Sequence, residues 1–275
     1  MALGAVAGAV GLATGSINFG TAVNARLPFE SHVFAGGALF VVVGVPMIAA
    51  AAEGWRGSQS ANPLSMGAGA LLMGWIVVEI GVTRSFSWLQ PTFLVAGAAI
   101  AFAGYRGWHL AWGATDGEVD SQMPGDDIQV PSAFTATRAI SIDAPPQAVW
   151  PWLIQVGKGR AGFYSYDFLD NGGRPSANEV LPEFQDLTPG ALAAPMSSRP
   201  SPANSFVVAS AESERSLVWA KSDSVWAWQL TPDYGGTRLL VRLRAGPVWN
   251  HPLRSLGGGA LMEIGDFPMM HKVLR

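Results

Sequence analysis

Val149-Trp-Pro-Trp-Leu-Ile-Gln-Val-Gly-Lys-Gly-Arg-Ala-Gly-Phe-Tyr-Ser-Tyr-Asp167 joins an apolar helical pattern to a glycine-broken, aromatic turn. Val149, Trp150, Leu153 and Ile154 recur at spacings of three and four, which predicts an amphipathic helix. Asp143-Ala-Pro-Pro-Gln just before it supplies a cap candidate and early prolines, while Pro151 is tolerated only in the first turns. Gly157, Gly159 and Gly162 then end the helix and open an irregular loop before Phe163 to Leu169. Gly157-Lys-Gly-Arg-Ala-Gly162 has the letters of a dinucleotide fingerprint, but it follows a helix where that motif needs a strand, so nucleotide binding is set aside.

Strand patterns flank this block. Phe134 to Ile142 places Ala136, Arg138, Ile140 and Ile142 on one parity. Further strands are predicted over Ser205 to Ala211, Ser216 to Lys221, Val225 to Thr231 and Thr237 to Arg244, the last three as a meander. Trp226, Trp228 and Leu230 share a face, and Leu239, Val241 and Leu243 oppose Leu240, Arg242 and Arg244. Tyr234-Gly-Gly suits the final hairpin. Phe267, Met269, Met270, Val273 and Leu274 predict a closing helix.

The remainder of the chain lives in a different solvent. Of 275 residues only 13% are charged, and just seven of those charges precede Asp116. Four runs are candidates to cross a hydrocarbon core of about 30 Å, which takes roughly 20 apolar residues each: Ala2 to about Gly20, Val33 to Ala52, Leu64 to Val82, and Thr92 to Trp112. The first lacks the basic start of a signal peptide and is read as a retained helix. Trp55, Trp88, Trp108 and Trp112 fall near the proposed ends, where indoles favour the headgroup region. Gly67, Gly69, Ala70 and Gly74, with Gly97, Ala98, Ala101 and Gly104, form small-residue stripes suited to close helix packing. Glu79, about one turn before Arg84, is read as an interfacial anchor in preference to a transport group. Arg26 and Arg84 balance Arg56 and Arg106, so charge does not orient the spans.

Residues 115–133 carry Asp116, Glu118, Asp120, Asp126 and Asp127 among prolines and glycine, and read as a solvated acidic linker. The division expected is therefore a transmembrane helical domain over 1–114, that linker, and a polar domain over 134–275. No basic stripe marks a nucleic-acid partner. With no cysteine and only His251 and His271 in the polar domain, metal sites of the His or Cys kind are not expected, and no cofactor is implied.

Trp112-Gly-Ala-Thr-Asp-Gly-Glu, Met123-Pro-Gly-Asp, Thr137-Arg-Ala-Ile-Ser-Ile-Asp-Ala-Pro, the Val149 to Asp167 block and Thr237-Arg-Leu-Leu-Val-Arg together resemble the START-like or SRPBCC superfamily, the polyketide cyclase/dehydrase and lipid transport type, in a bacterial membrane-anchored branch. The resemblance covers about Trp112 to Arg275. It departs from the usual pattern at Gly190-Ala-Leu-Ala-Ala-Pro and in a short C-terminal helix. It implies an α+β helix-grip fold, in which a curved antiparallel sheet and a C-terminal helix enclose an apolar cavity. That cavity would hold a hydrophobic small molecule or lipid. Its expected lining is Trp152, Phe163, Tyr164, Tyr166, Trp219, Trp226 and Trp228, with Gln155, Arg160, Asp167 and Arg242 as polar contacts; an Arg160 to Asp167 ion pair fixing the glycine loop is the structural alternative. The expected partners are thus the bilayer and an apolar ligand, with the anchor in a bacterial plasma membrane and the polar domain in the cytoplasm. A binding role without catalysis leads. The rivals are a cyclase or dehydratase using Tyr164, Tyr166 and Asp167 as acid-base groups, and a structural module whose cavity is filled by its own tryptophans.

Overall fold

A computed structural model describes residues 1–17, 20, 24–131, 133–195, 205–246 and 268–273. The chain divides into two compact units, Met1–Trp108 and His109–Arg275.

The first unit is helical. α1 (Ala2–Ala13) has 12 residues, about 18 Å at 1.5 Å per residue, too short to cross a bilayer core alone. α2 runs over 24 residues, His32–Trp55, with a π-helical turn at Phe40–Gly44. Pro46 lies in the first α-helical turn after it, next to Val45, and has no N–H to donate to that turn. α3 (Ala61–Thr83) follows, then α4 (Leu89–Leu110). Among the described residues, α2 and α3 are the two helices long and apolar enough to cross a membrane. Two of the four expected spans meet that measure; of the others, α1 is short, and α4 carries Gln90, Arg106 and His109 at its ends.

Glycine decides how α3 and α4 meet. A Cβ on Gly69 would lie 2.6 Å from the Ala101 amide nitrogen, and one on Gly104 would lie 2.5 Å from the Asn62 carbonyl oxygen, so only a missing side chain lets the backbones approach this closely. Gly67 and Gly74 of the same stripe face open space. Glu79 accepts a hydrogen bond from Gln90 Nε2 at 3.3 Å, so its partner is on α4 and is not Arg84.

The second unit is a six-stranded, wholly antiparallel sheet of order β1-β6-β5-β4-β3-β2. Its strands are β1 (Phe134–Ile142), β2 (Leu192–Pro195), β3 (Ser205–Glu212), β4 (Ser216–Lys221), β5 (Ser224–Asp233) and β6 (Gly236–Ala245). Helix α5 (Asp116–Asp120) precedes β1; α6 (Pro146–Ile154) and α7 (Asp167–Asp170) fill the β1–β2 connection, and residues 268–273 are helical. Register shifts within the β2–β3 and β3–β4 pairings bend the sheet at that edge. This is the sheet-and-helix architecture that the helix-grip resemblance implies. Phe267 and Leu274 of the expected closing helix lie outside the described residues.

One face carries the core. Trp226 stands opposite Trp219 and Leu243, and Trp228 opposite Leu217 and Val241, with Leu230 opposite Leu239. Apart from Leu243, these residues pack with Leu153 and Ile154 of α6, Val156, Phe163, Phe206, Val208 and Met270 in a single cluster. At roughly 25 cal/mol per Å² of apolar area removed from water, this cluster is the main stabilising element of the unit.

The other face is covered by the segment expected to be a solvated linker, and this is a correction. Thr115 caps α5 in a capping box with Glu118. Beyond it Met123 packs on Ala139 and Leu240, while Ile128 and Val130 pack on Val218, Val225 and Ala227. Arg238, Arg242 and Arg244 alternate along β6 toward this strap. Arg238 Nε is 2.7 Å from a Glu118 carboxylate oxygen and Arg242 Nη1 is 2.6 Å from Asp126 Oδ2, while Arg244 Nη2 donates to the Ile128 carbonyl at 3.0 Å. Two of the acidic residues read as solvated, Glu118 and Asp126, are the counter-ions of those arginines. Bonding to Arg238 holds the Glu118 carboxyl down at about 2.

Candidate functional site

The glycine loop after α6 is a small hairpin in which the Gly157 and Gly162 amides donate to each other's carbonyls, at 2.9 and 3.1 Å. Gly162 has φ +87°, and a Cβ there would collide with Ser176 Oγ. The closeness matters because Ser176 Oγ accepts from the Tyr164 amide at 3.0 Å and donates to the Asp167 carboxylate. A residue other than glycine at 162 would push this clip away and release the aromatic turn.

The expected polar contacts are mostly consumed by the protein itself. Gln155 is buried; its amide nitrogen donates to the Tyr164 hydroxyl and to the Glu179 carbonyl, and its oxygen accepts from the Leu181 amide at 2.8 Å and from Gln185 Nε2 at 3.3 Å. A side-chain amide has two donors and two acceptor sites, so none is left for a ligand. Arg160 donates to the Ile154 carbonyl at the C-terminus of α6 and to the Phe184 carbonyl, with its guanidinium 4.6 Å from the Phe184 ring centre. It staples the loop without Asp167, which is held by Ser176. Arg242 is on the strap face, its Nε bonded to Thr137 and its Nη atoms to Ser121, Asp126, Glu118 and Val119. Its expected place among the cavity contacts is corrected: the strand alternation sends it to the opposite side of the sheet from the tryptophans. Beside it a recess of about 360 Å³ is lined by Leu110, Val119, Thr135, Arg242 and Arg244, among others.

The aromatic expectations do converge. Trp219, Trp226 and Trp228 form a contiguous floor, with ring centres 5.8 Å (Trp219–Trp226), 4.5 Å (Trp219–Trp228) and 4.7 Å (Trp226–Trp228) apart, the last pair stacked. Phe206 abuts it at 6.4 Å from Trp219 and 6.1 Å from Trp226. Phe163 is buried in the same cluster and Tyr164 packs on it. Trp152 meets Tyr164 edge-on at 6.0 Å. Tyr166 is apart, exposed, with the Lys272 ammonium 4.6 Å from its ring centre.

Four polar groups distinguish this floor from plain core. Among the described residues the buried indole nitrogens of Trp219 and Trp226 have no acceptor, an arrangement that costs about 1–3 kcal/mol for each donor left unpaired. The Tyr164 hydroxyl accepts from Gln155 and keeps its own proton, because burial pushes its pKa up. Arg138 is the residue that sequence reasoning passed over. It stands opposite Val241 on the tryptophan face, buried, with Nε 2.9 Å from the His109 carbonyl oxygen. The available signal was a cation on the parity of Ala136, Ile140 and Ile142. Among the described residues no cluster of His, Asp or Glu has the makings of a metal site.

No family model matches the chain, and no curated protein matches it. Solved structures are similar to about half of it. Protein Ms6760 from Mycobacterium smegmatis is 14% identical, with 51% of this chain and 85% of that one covered and a TM-score of 0.30. The Polyketide_cyc-like protein Cgl2372 from Corynebacterium glutamicum is 17% identical over 51% and 86%, TM-score 0.30. Protein MLL2253 from Mesorhizobium loti is 17% identical over 51% and 94%, TM-score 0.29.

Proposed function

We propose that this chain is a membrane-tethered, non-enzymatic binding protein whose second unit takes a hydrophobic small molecule or lipid onto the tryptophan face of its sheet. The first unit is the anchor: α2 and α3 cross a bacterial plasma membrane, α4 and the N-terminal segment complete about four spans, and the second unit lies in the cytoplasm. The unit is a member of a membrane-anchored branch of the SRPBCC type on this reading. The observation that carries it is the pair of buried indole N–H groups of Trp219 and Trp226 on an aromatic floor. An apolar site with a few fixed polar groups is how proteins hold and orient small hydrophobic ligands, and an acceptor on the ligand would satisfy donors that the chain leaves unpaired.

Native mass spectrometry of the full chain released from mild detergent tests this. A bound apolar molecule on the wild type, lost from Trp226→Arg with the fold retained, is the expected result. An adduct-free wild type that also ignores added lipids supports instead a floor closed on itself by its own stacked rings, and refutes the proposal. If the adduct is converted on incubation, and Asp167→Asn or Tyr166→Phe stops conversion while leaving the adduct in place, the non-enzymatic part is wrong.

A further inference from the structure

Apolar side chains point into water at one corner of the second unit. Phe168 and Leu169 of α7 are 85% and 70% exposed, and Tyr166 before them is 45% exposed. Isolated exposed hydrophobics need no explanation, but adjacent ones on a rigid projection mark an interaction site. This projection is rigid. The amides of Leu169 and Asp170 donate to the Tyr166 carbonyl and those of Asn171 and Gly173 to the Asp167 carbonyl, while Asn171 Nδ2 donates to the Arg174 carbonyl at 2.8 Å. Bonding these amides internally lowers the cost of carrying the tip's backbone into an apolar medium.

The charges around it select the partner. The Lys272 ammonium sits over the Tyr166 ring at 4.6 Å and Arg174 is exposed just beyond the tip. Of the nearby acids, the Asp167 carboxylate is turned onto Ser176, and burial pushes the Asp170 carboxyl up. An apolar tip ringed by cations suits the headgroup and acyl boundary of an anionic leaflet, with Tyr166 at the level where amphipathic rings settle. The same chain holds two helices long and apolar enough to cross a membrane, which favours a bilayer as the partner.

We propose that α7 is a lipid-surface anchor: Phe168 and Leu169 insert into the bilayer boundary while Lys272 and Arg174 engage anionic headgroups. This stands independently of whether the tryptophan face holds a ligand. The chain has no cysteine, so Leu169→Cys and, as a control on the exposed β5–β6 turn, Tyr234→Cys each provide a single attachment point for a nitroxide in the full chain reconstituted into phosphatidylcholine vesicles with and without phosphatidylglycerol. Collision with dissolved oxygen exceeding collision with a water-soluble nickel chelate at 169, and the reverse at 234, is the expected outcome. In anionic vesicles Lys272→Gln lowers the docked-to-undocked ratio at 169 roughly fivefold, the factor one cation near such a leaflet contributes. Position 169 as open to the chelate as 234 overturns the proposal, as does spin–spin broadening at 169, which identifies a second copy of the chain as the occupant. A docked ratio indifferent to phosphatidylglycerol overturns the assignment of Lys272 and Arg174.

Discussion

Replacing Arg242 distinguishes a strap-holding arginine from a ligand-contacting one. Its guanidinium side chain is 8% exposed and reaches five acceptors: Thr137 Oγ1 at 2.9 Å, the carbonyls of Ser121, Val119 and Glu118 at 3.0, 2.7 and 3.3 Å, and Asp126 Oδ2 at 2.6 Å. A guanidinium has five N–H donors, so the set is complete. Arg242→Ala removes them all together, leaving three carbonyls and a partly buried carboxylate to find water. Asp126 retains the Met123 amide at 2.8 Å and the more distant Arg244, which puts the expected loss at the lower end of the roughly 3–5 kcal/mol for breaking a buried pair. For a unit of this size that is a fall in Tm of about 6–12 °C. Thermal unfolding of the full chain in detergent, followed by the emission of the Trp219, Trp226 and Trp228 cluster, reads it. Arg242→Lys restores little, because an ammonium does not reproduce the planar fork. Below its Tm the variant keeps any bound apolar molecule. A variant with wild-type Tm that has lost its ligand would refute this placement and restore Arg242 to the binding face.

Two further outcomes follow from the same geometry. Glu118 titrates ordinarily near 4.5 and in the folded chain at about 2; the depressed value means its contribution is complete above 4.5 and is lost as the pH falls from there toward 2. With both partners about one-fifth exposed, solvent screening limits that contribution to the order of 1 kcal/mol; Glu118→Gln should lower stability by this amount at neutral pH and flatten the acid limb in denaturant titrations. In the first unit, Gly69→Val drives side-chain atoms into the Gly97–Ala101 backbone and should cost about 1–3 kcal/mol by overpacking, whereas Gly67→Val, facing open space, should leave the melting profile of the detergent-solubilised chain unchanged.

The elements with a clean period were legible. β1, β4, α6 and the β5–β6 hairpin all lie where alternation or three-and-four spacing placed them, within a few residues. β2 was not, because Gly190-Ala-Leu-Ala-Ala-Pro has no alternation to read; its strand exists through pairing with β3. The strap was misread for a related reason. Glu118 and Asp126 look solvated by composition, and only pairing β6 beside β1 shows three arginines on the face that they cover. Of the candidate site, the tryptophans were legible because period-two spacing puts Trp226 and Trp228 on one side. The polar contacts were not, since whether Gln155 or Arg160 is free depends on carbonyls more than twenty residues away.

That redistribution of partners changes what the proposed site would select. With Gln155 saturated and Asp167 clipped to Ser176, the polar groups on the tryptophan side are donors: the indole N–H of Trp219, that of Trp226, the Tyr164 hydroxyl proton, and the Arg138 guanidinium held at the His109 carbonyl. A hydrocarbon seated there would gain burial energy but leave both indoles unpaired. A molecule with ketone, ether, ester or carboxyl oxygens along one edge would gain the same burial and about 0.5–1.5 kcal/mol for each donor it satisfies. Preference on such a floor therefore depends less on apolar area, which many lipids supply equally, than on the spacing of oxygen acceptors against two nitrogens fixed by a cross-strand pair, Trp219 and Trp226.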